Sequence, residues 1–373
     1  MIVQKKSIKL EAKVGDVELK SGTVYFLKIP LVEPFVISLG RQDYYEGVVV
    51  ELSSNEATGL GEGVTVQQIT GETPASIFQL VQLLLSYLDG KYFESLESFS
   101  RYLDRFIYGN SASKNALDMS FHDLMGKVYG ISVTRILGGD LKERPTSLTI
   151  PIGTVEDNLR TLKKYKEKKV KIIKVKVGSD PSLDAERIKA ISDNLESWQR
   201  FYADANQGYS LSDAVKIGKL LYDRGALFFE QPLNRHDLNN LRELRRRTGI
   251  SIALDESVSS PFDVVNSIVH EAVDIVNVKL TKSGGLRNSF KALIVAQAYG
   301  IDGMVGCMVE SKLGITASLA VANSLDNVKY TDLDGYLFLE SQPFEGGVEY
   351  EEGMNKPKEG PGLAIVKNSK VWG

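Results

Sequence analysis

The chain has 373 residues, a formal net charge of −3, and a composition that is 43% hydrophobic and 25% charged. That length accommodates one barrel and a smaller domain, and the near-balanced charge argues against nucleic acid or an anionic membrane as a partner. Cys307 is the only cysteine, so no intrachain disulfide can form; with no leader-like start and no bilayer-length apolar run, a cytoplasmic protein is expected.

In chain order, residues 1–20 alternate apolar and charged, and Gly15-Asp16 suits the turn of a small hairpin. TVYFLKIPL (23–31), YEGVVVELSS (45–54) and ATGLGEGV (57–64) read as strands, with PFVISLGRQDY as a loop between the first two. Helical periodicity follows at 73–89, 95–106 and 111–129, with Thr73-Pro74 as a start signal and Gly109 and Gly130 at breaks. Residues 1–130 are therefore predicted to form an α+β domain.

From about Pro145 strands and helices alternate. TSLTIPIG is the first strand; helices are predicted at 155–168, 184–196, 210–224, 237–248, 261–270, 285–299 and 312–324; IDGMVGCM and NVKYTDLD bring the strands to eight. This is an α/β pattern, a (β/α)8-type barrel or modified TIM barrel, over residues 131–341. Residues 342–373 are rich in Gly and Pro with two short strand-like pieces, and are expected to pack back on the first domain.

Charges fall at regular places in this pattern. KIIKVKVG carries Lys174 and Lys176 on one face of a buried strand, and four later apolar strands end in Asp204, Glu230, Asp255 and Lys279. From Lys176 the intervals are 28, 26, 25 and 24 residues, each the length of one strand, one helix and two short loops. In a closed barrel the C-terminal strand ends converge on one mouth, where active sites of this architecture lie.

Three carboxylates suit a hard cation such as Mg²⁺, leaving positions for water or substrate. Lys176 and Lys279 end strands two and six, on opposite sides of the mouth, so two bases could address both faces of one carbon. A lysine base must be neutral; burial, Lys174 and a bound cation are expected to lower its pKa. A proton alpha to a carboxylate is weakly acidic, and its removal needs the enediolate charge stabilised, which a divalent metal provides.

K-V-K (174–176), D-A-N (204–206), E-Q-P (230–232), D-E-S (255–257) and N-V-K-L-T-K-S-G-G (277–285) resemble the muconate-lactonizing branch of the enolase superfamily, over nearly the whole chain from about residue 20. The eighth strand, with Asp332-x-Asp334, and the stretch GCMVESKLGIT (306–316) are most like the dipeptide epimerases, those of the L-Ala-D/L-Glu type in particular. The resemblance implies an enolase-like barrel closed by an N-terminal capping domain, Mg²⁺ (with Mn²⁺ as a substitute) on Asp204, Glu230 and Asp255, and Lys176, Lys279 and Lys174 as catalytic lysines. Asp332 and Asp334 would bind the α-ammonium of a dipeptide. Arg41 is either the selector of an acidic side chain or a solvated loop charge, since Gly40 falls at one of the corresponding positions. The reaction implied is a 1,1-proton transfer at the C-terminal residue's α-carbon, in a homo-oligomer that takes a small-molecule substrate.

The rival enzymes are an N-acylamino-acid racemase, a muconate cycloisomerase or an o-succinylbenzoate synthase; the non-enzymatic rival is a catalytically silent barrel scaffold. Residues 1–15 have no counterpart in the family. His122, His236 and His270 are not spaced as metal ligands, Cys307 reads as buried and inert, and Gly284-Gly285 opens a helix that could cradle an anion.

Overall fold

The computed structural model describes residues 1–37 and 40–372, and the side chains of all but 36 and 37 among them. The first part is a five-stranded sheet covered by helices at Pro74–Leu88, Leu96–Phe106 and Ser111–Val128. β1 (Ile2–Val14), β2 (Val17–Ile37), β3 (Gly40–Ser54) and β4 (Thr58–Val64) run antiparallel, and β5 (Tyr92–Phe93) joins β1 in parallel. Val14 pairs with Val17 across Gly15-Asp16, and Gly15 takes φ 55°, a conformation glycine reaches without a Cβ clash. Thr73 and Ser95 both close capping boxes with the serine three residues on, which fixes where the first two helices start. Apolar residues of β1–β3 and the three helices, among them Leu10, Val24, Val50, Leu85, Phe99 and Phe121, form a core of their own.

The expected loop between the second and third strands is a hairpin instead. After a register shift between Pro30 and Phe35, β2 and β3 resume pairing at Phe35–Gln42, Val36–Arg41 and Ile37–Gly40. The run Phe35-Val36-Ile37 favours extended backbone and carries the ladder outward. Ser38 and Leu39, in the middle of the expected loop, lie outside the described residues.

β6 (Arg144–Pro145) leads into the barrel: β7 (Ser147–Ile150), β8 (Ile172–Lys176), β9 (Arg200–Asp204), β10 (Phe229–Glu230), β11 (Ile252–Leu254), β12 (Ile275–Val278), β13 (Asp302–Gly306) and β14 (Val328–Asp332). These eight strands pair in parallel in sequence order, as the spacing predicts. Side chains bridge the seam between β14 and β7: Ser147 Oγ donates to Asp332 Oδ1 at 2.7 Å, Thr149 N and Oγ1 donate to Asp334 Oδ2 at 3.1 and 3.0 Å, and Leu333 N donates to Thr146 Oγ1 at 2.8 Å.

β15 (Phe344–Gly346) pairs with β18 (Ile365–Lys367), and β16 (Val348–Glu351) and β17 (Met354–Pro357) extend from β6. This C-terminal segment touches both parts of the chain. Lys367 pairs with Glu51, Trp372 meets Tyr25 edge-on at 4.9 Å, and Asn355 bonds Leu333 O and the Tyr336 hydroxyl at 3.0 Å each.

One further junction is carboxylate-based. Buried Glu62, on β4, accepts from Ser311 N, Ser311 Oγ and Gly314 N at 3.1, 3.0 and 2.8 Å, and from Tyr45 Oη. A carboxylate from the sheet domain thus caps the barrel helix Lys312–Ala322 at its positive end. Buried Glu310 lies beside it: a Cβ at Gly314 would be 2.5 Å from Glu310 Oε2 and 2.6 Å from Glu62 Oε2. Burial, and then Glu62, push the Glu310 carboxyl up to about 8.

Candidate active site

Strand register builds the site. Lys174 pairs with Tyr202 and Lys176 with Asp204, while Asp204 is opposite Glu230. Lys176, Asp204 and Glu230 therefore share one layer of the barrel interior. Two residues before Asp204, Glu230 and Asp332 an aromatic layer forms its floor, in which Tyr202 stacks on Phe228 at 4.3 Å and Phe228 meets Tyr330 at 4.9 Å, while β8 places Lys174 in register with Tyr202. The period of two along β9, β10 and β14 thus sets an aromatic floor beneath the charged mouth, and Lys174 reaches that mouth from the floor's register.

All the charged groups of this layer are buried. Lys174 Nζ lies 2.7 Å from Asp332 Oδ2, 2.9 Å from Asp204 Oδ2 and 3.1 Å from Glu230 Oε2. Lys176 Nζ reaches Asp204 Oδ2 at 2.7 Å and Asn206 Oδ1 at 2.8 Å, and Lys279 Nζ reaches Asp255 Oδ2 at 2.7 Å. The neighbouring carboxylates raise Lys174 and Lys279, opposing the effect of burial. Burial alone would lower Lys279, but Asp255 outweighs it and holds the ammonium above its ordinary range; Asp204, Asp332 and Glu230 do the same for Lys174.

The three carboxylates are anchored on one side and open to cations on the other. Asp204 Oδ1 accepts from Asn206 N at 2.9 Å, Glu230 Oε1 from Asn277 Nδ2 at 2.7 Å, and Asp255 Oδ1 from Lys282 Nζ at 2.6 Å. Among the described residues the second oxygens, Asp204 Oδ2, Glu230 Oε2 and Asp255 Oδ2, meet only the ammonium groups of Lys174, Lys176 and Lys279. Glu230 is pushed up to about 7 by burial and by Asp204, against the pull of Lys174, so its ionised form is short of positive charge. Among the described residues no three acidic or imidazole groups already stand as a ready metal cage, because the Lys174 ammonium sits among Asp204, Glu230 and Asp332. The donor set itself fits a divalent cation: hard oxygens, fixed from behind, with one face answered only by exchangeable ammonium.

Above this layer opens a cavity of about 250 Å³, which Lys174, Lys176, Lys279, Asn206, Asp332 and Asp334 all reach. β14 ends at Asp332, and Asp334 has φ −98° and ψ −8°, so the two are not alternate residues of one strand, as the sequence suggests. They nevertheless meet at the same cavity. Asp332 already has Lys174 and Ser147 as partners. Asp334 Oδ2 accepts from Thr149 N and Oγ1, and burial followed by the nearby Asp332 pushes the carboxyl up to about 7, against the pull of Lys174. Among the described residues no ion pair reaches it.

Arg41 lies on β3 and reaches the rim, where its guanidinium is exposed and pairs with Asp43 at 2.8 Å. Cys307 is buried in the cavity wall. The helix start at Gly284-Gly285 holds the protein's own carboxylate: Arg287 N donates to Asp118 Oδ2 at 3.3 Å, and a Cβ at Gly285 would lie 2.5 Å from that oxygen.

Sequence reasoning missed Lys282, Asn277, Ser147 and Thr149. Lys282 had a readable signal: it follows Lys279 by three residues, which places the two on one side of the helical turn Leu280–Ser283. The neutral residues carried none. The roof helix Gln67–Thr70, which has no side-chain cap at its start, was also unassigned.

Residues 157–371 match the family described as enolase C-terminal domain-like, and residues 21–138 match the mandelate racemase/muconate lactonizing enzyme N-terminal domain. The chain is 29% identical over 351 residues to the L-Ala-D/L-Glu epimerase of Clostridium acetobutylicum, covering 93% of this chain and 98% of that one. It is 32% identical over 338 residues to the hydrophobic dipeptide epimerase of Enterococcus faecalis, covering 90% and 95%. The dipeptide epimerase of Cytophaga hutchinsonii, solved with Mg and D-Ala-L-Val, superposes with a TM-score of 0.89 at 30% identity, covering 99% of this chain and 97% of that one.

Proposed function

The chain belongs to the enolase superfamily, within its mandelate racemase/muconate lactonizing group, and on that premise we propose that it is a dipeptide epimerase whose chemistry is carried by the buried layer of the barrel mouth. The reaction is a 1,1-proton transfer at the α-carbon of the dipeptide's C-terminal residue. The observation that carries the reading is the placement of Lys176 and Lys279 on strands two and six, with Asp204, Glu230 and Asp255 between them and Asp334 at the same cavity.

Asp204, Glu230 and Asp255 would hold Mg²⁺, or Mn²⁺ in its place; the cation would supply charge stabilisation for the substrate carboxylate and offset the negative charge that raises Lys174 and Lys279. One lysine starts neutral and the other charged. The neutral one takes the α-proton from one face, the electron pair spreads into the carboxylate as an enediolate, and the ammonium opposite returns a proton to the other face. Proton count and charge balance, and the product is the epimer. Lys174, buried beside Asp204 and Asp332, adds positive charge next to both ends of the substrate and lowers the proton affinity of Lys279. Asp334, with Asp332 behind it, receives the α-ammonium of the first residue. Arg41, already paired with Asp43, stands at the rim where the C-terminal side chain would point.

Residues 1–130 act as the cap, 131–341 carry the chemistry, and 342–373 tie the two together. A cytoplasmic location goes with this reading, supported by a single cysteine and by the absence, among the described residues, of a helix long and apolar enough to cross a membrane. The test is incubation of mixtures of L,L-dipeptides with the Mg²⁺-loaded protein in D₂O, followed by mass detection. A gain of one mass unit by particular dipeptides supports the reading; exchange only in N-acylamino acids would favour the racemase.

A further inference from the structure

The cap meets the barrel directly above Asp334. The 3-10 turn Gly335–Phe338 begins at that aspartate and brings Phe338 to the cavity wall. Phe35, from the outer end of β2, meets Phe338 with ring centroids 5.1 Å apart and planes tilted by 42°. The contact is stitched by backbone: Glu340 N donates to Pro30 O at 3.0 Å, and Leu31 bridges to Leu339. Phe35 and Phe338 line the same cavity as Asp334, and Met308 adds a third apolar wall.

An N-terminal residue carries its ammonium and its side chain on one carbon. If Asp334 takes the ammonium, the side chain lies in the same cavity, where this aromatic pair offers an apolar wall. The charged groups of the roof among the described residues are already answered: Arg41 by Asp43 at 2.8 Å, and Glu46 by Lys28 at 2.9 Å. An acidic side chain would find no unpaired cation there, whereas an apolar one would bury its surface against two rings and a thioether.

We propose that Phe35 and Phe338 form the seat for the side chain of the dipeptide's N-terminal residue, and that the substrates are dipeptides with a neutral, apolar residue at that position; this rests on the dipeptide reading above. The test measures kcat/KM for α-proton exchange over dipeptides that share one C-terminal residue and carry Gly, Leu, Phe, Glu or Lys first. Wild-type protein is expected to favour Leu or Phe over Gly and Glu by about 10- to 100-fold. Phe338→Ala and Phe35→Ala should each bring the leucyl-to-glycyl ratio to within about 3-fold, while Phe338→Leu retains most of it. The ratio is taken within each variant, so partial loss of folded protein cancels. Equal rates for Gly and Leu, a preference for Glu or Lys, or an unchanged ratio in both alanine variants overturns the seat while leaving the dipeptide reading intact. Exchange in no dipeptide at all overturns the dipeptide reading itself, and the seat with it.

Discussion

Lys174 Nζ lies 2.7 Å from Asp332 Oδ2, an ion pair that joins barrel strand two to strand eight across the seam. It distinguishes two aspartates that look equivalent in the sequence: Asp332 pairs with Lys174 and Ser147, whereas Asp334 bonds Thr149.

The two aspartates should therefore respond differently to substitution. Asp334→Asn should lower kcat/KM for a free dipeptide by roughly 10- to 150-fold, the loss of one charge-assisted bond worth about 1.5–3 kcal/mol, and affect an N-acetylated dipeptide much less. Asp332→Asn should depress both substrates, because it also releases Lys174. Kinetics of both variants on the two substrates check this; equal losses on both substrates in Asp334→Asn would remove Asp334 from ammonium recognition.

Metal dependence follows from the carboxylates that face only ammonium. Chelation should abolish turnover, and Mg²⁺ should restore it, with Mn²⁺ able to substitute. A readout independent of activity is thermal stability. Mg²⁺ at about 100 times its Kd should stabilise the protein by about 2.7 kcal/mol and raise its Tm, and Asp255→Asn should abolish the rise. A stripped protein that turns over at the full rate would contradict this assignment.

The Glu62–Glu310 junction makes stability pH-dependent. Glu310 sits at about 8 in the folded chain against an ordinary 4.5, so the native state binds more protons than the unfolded state between those values. Its stabilising contribution is complete below about pH 4.5 and is lost as pH rises through about 8. Glu310→Gln should accordingly gain on wild type as pH rises, by on the order of a few kcal/mol by pH 8.5. Denaturation at pH 5.5 and 8.5 checks the sign, and a constant difference between the proteins would exclude Glu310 as the titrating group.

The barrel was legible because Lys176, Asp204, Glu230, Asp255 and Lys279 recur at 24 to 28 residues, a spacing that closure converts into one ring of side chains. What closure adds could not be read. Ser147 and Thr149 matter only because β7 meets the end of β14, and no local pattern marks that seam. The pairing of Lys279 with Asp255 was out of reach for a related reason: burial was foreseen, but the 2.7 Å contact depends on side-chain directions that spacing leaves open. The expected loop PFVISLGRQDY (34–44) was read with its Gly as a break, while the β-branched pair Val36-Ile37 continued the ladder.

The central claim is that two lysines serve opposite faces of one carbon. Its most direct test is α-proton exchange in D₂O with Lys176→Ala and Lys279→Ala, each given the two epimers of one accepted dipeptide separately and followed by proton NMR. The account predicts that neither variant interconverts the epimers, since each lacks one of the two proton carriers, and that any wash-out retained is confined to one epimer in Lys176→Ala and to the opposite epimer in Lys279→Ala. Net epimerisation by either variant, or exchange of both epimers by the same one, would contradict the two-base mechanism.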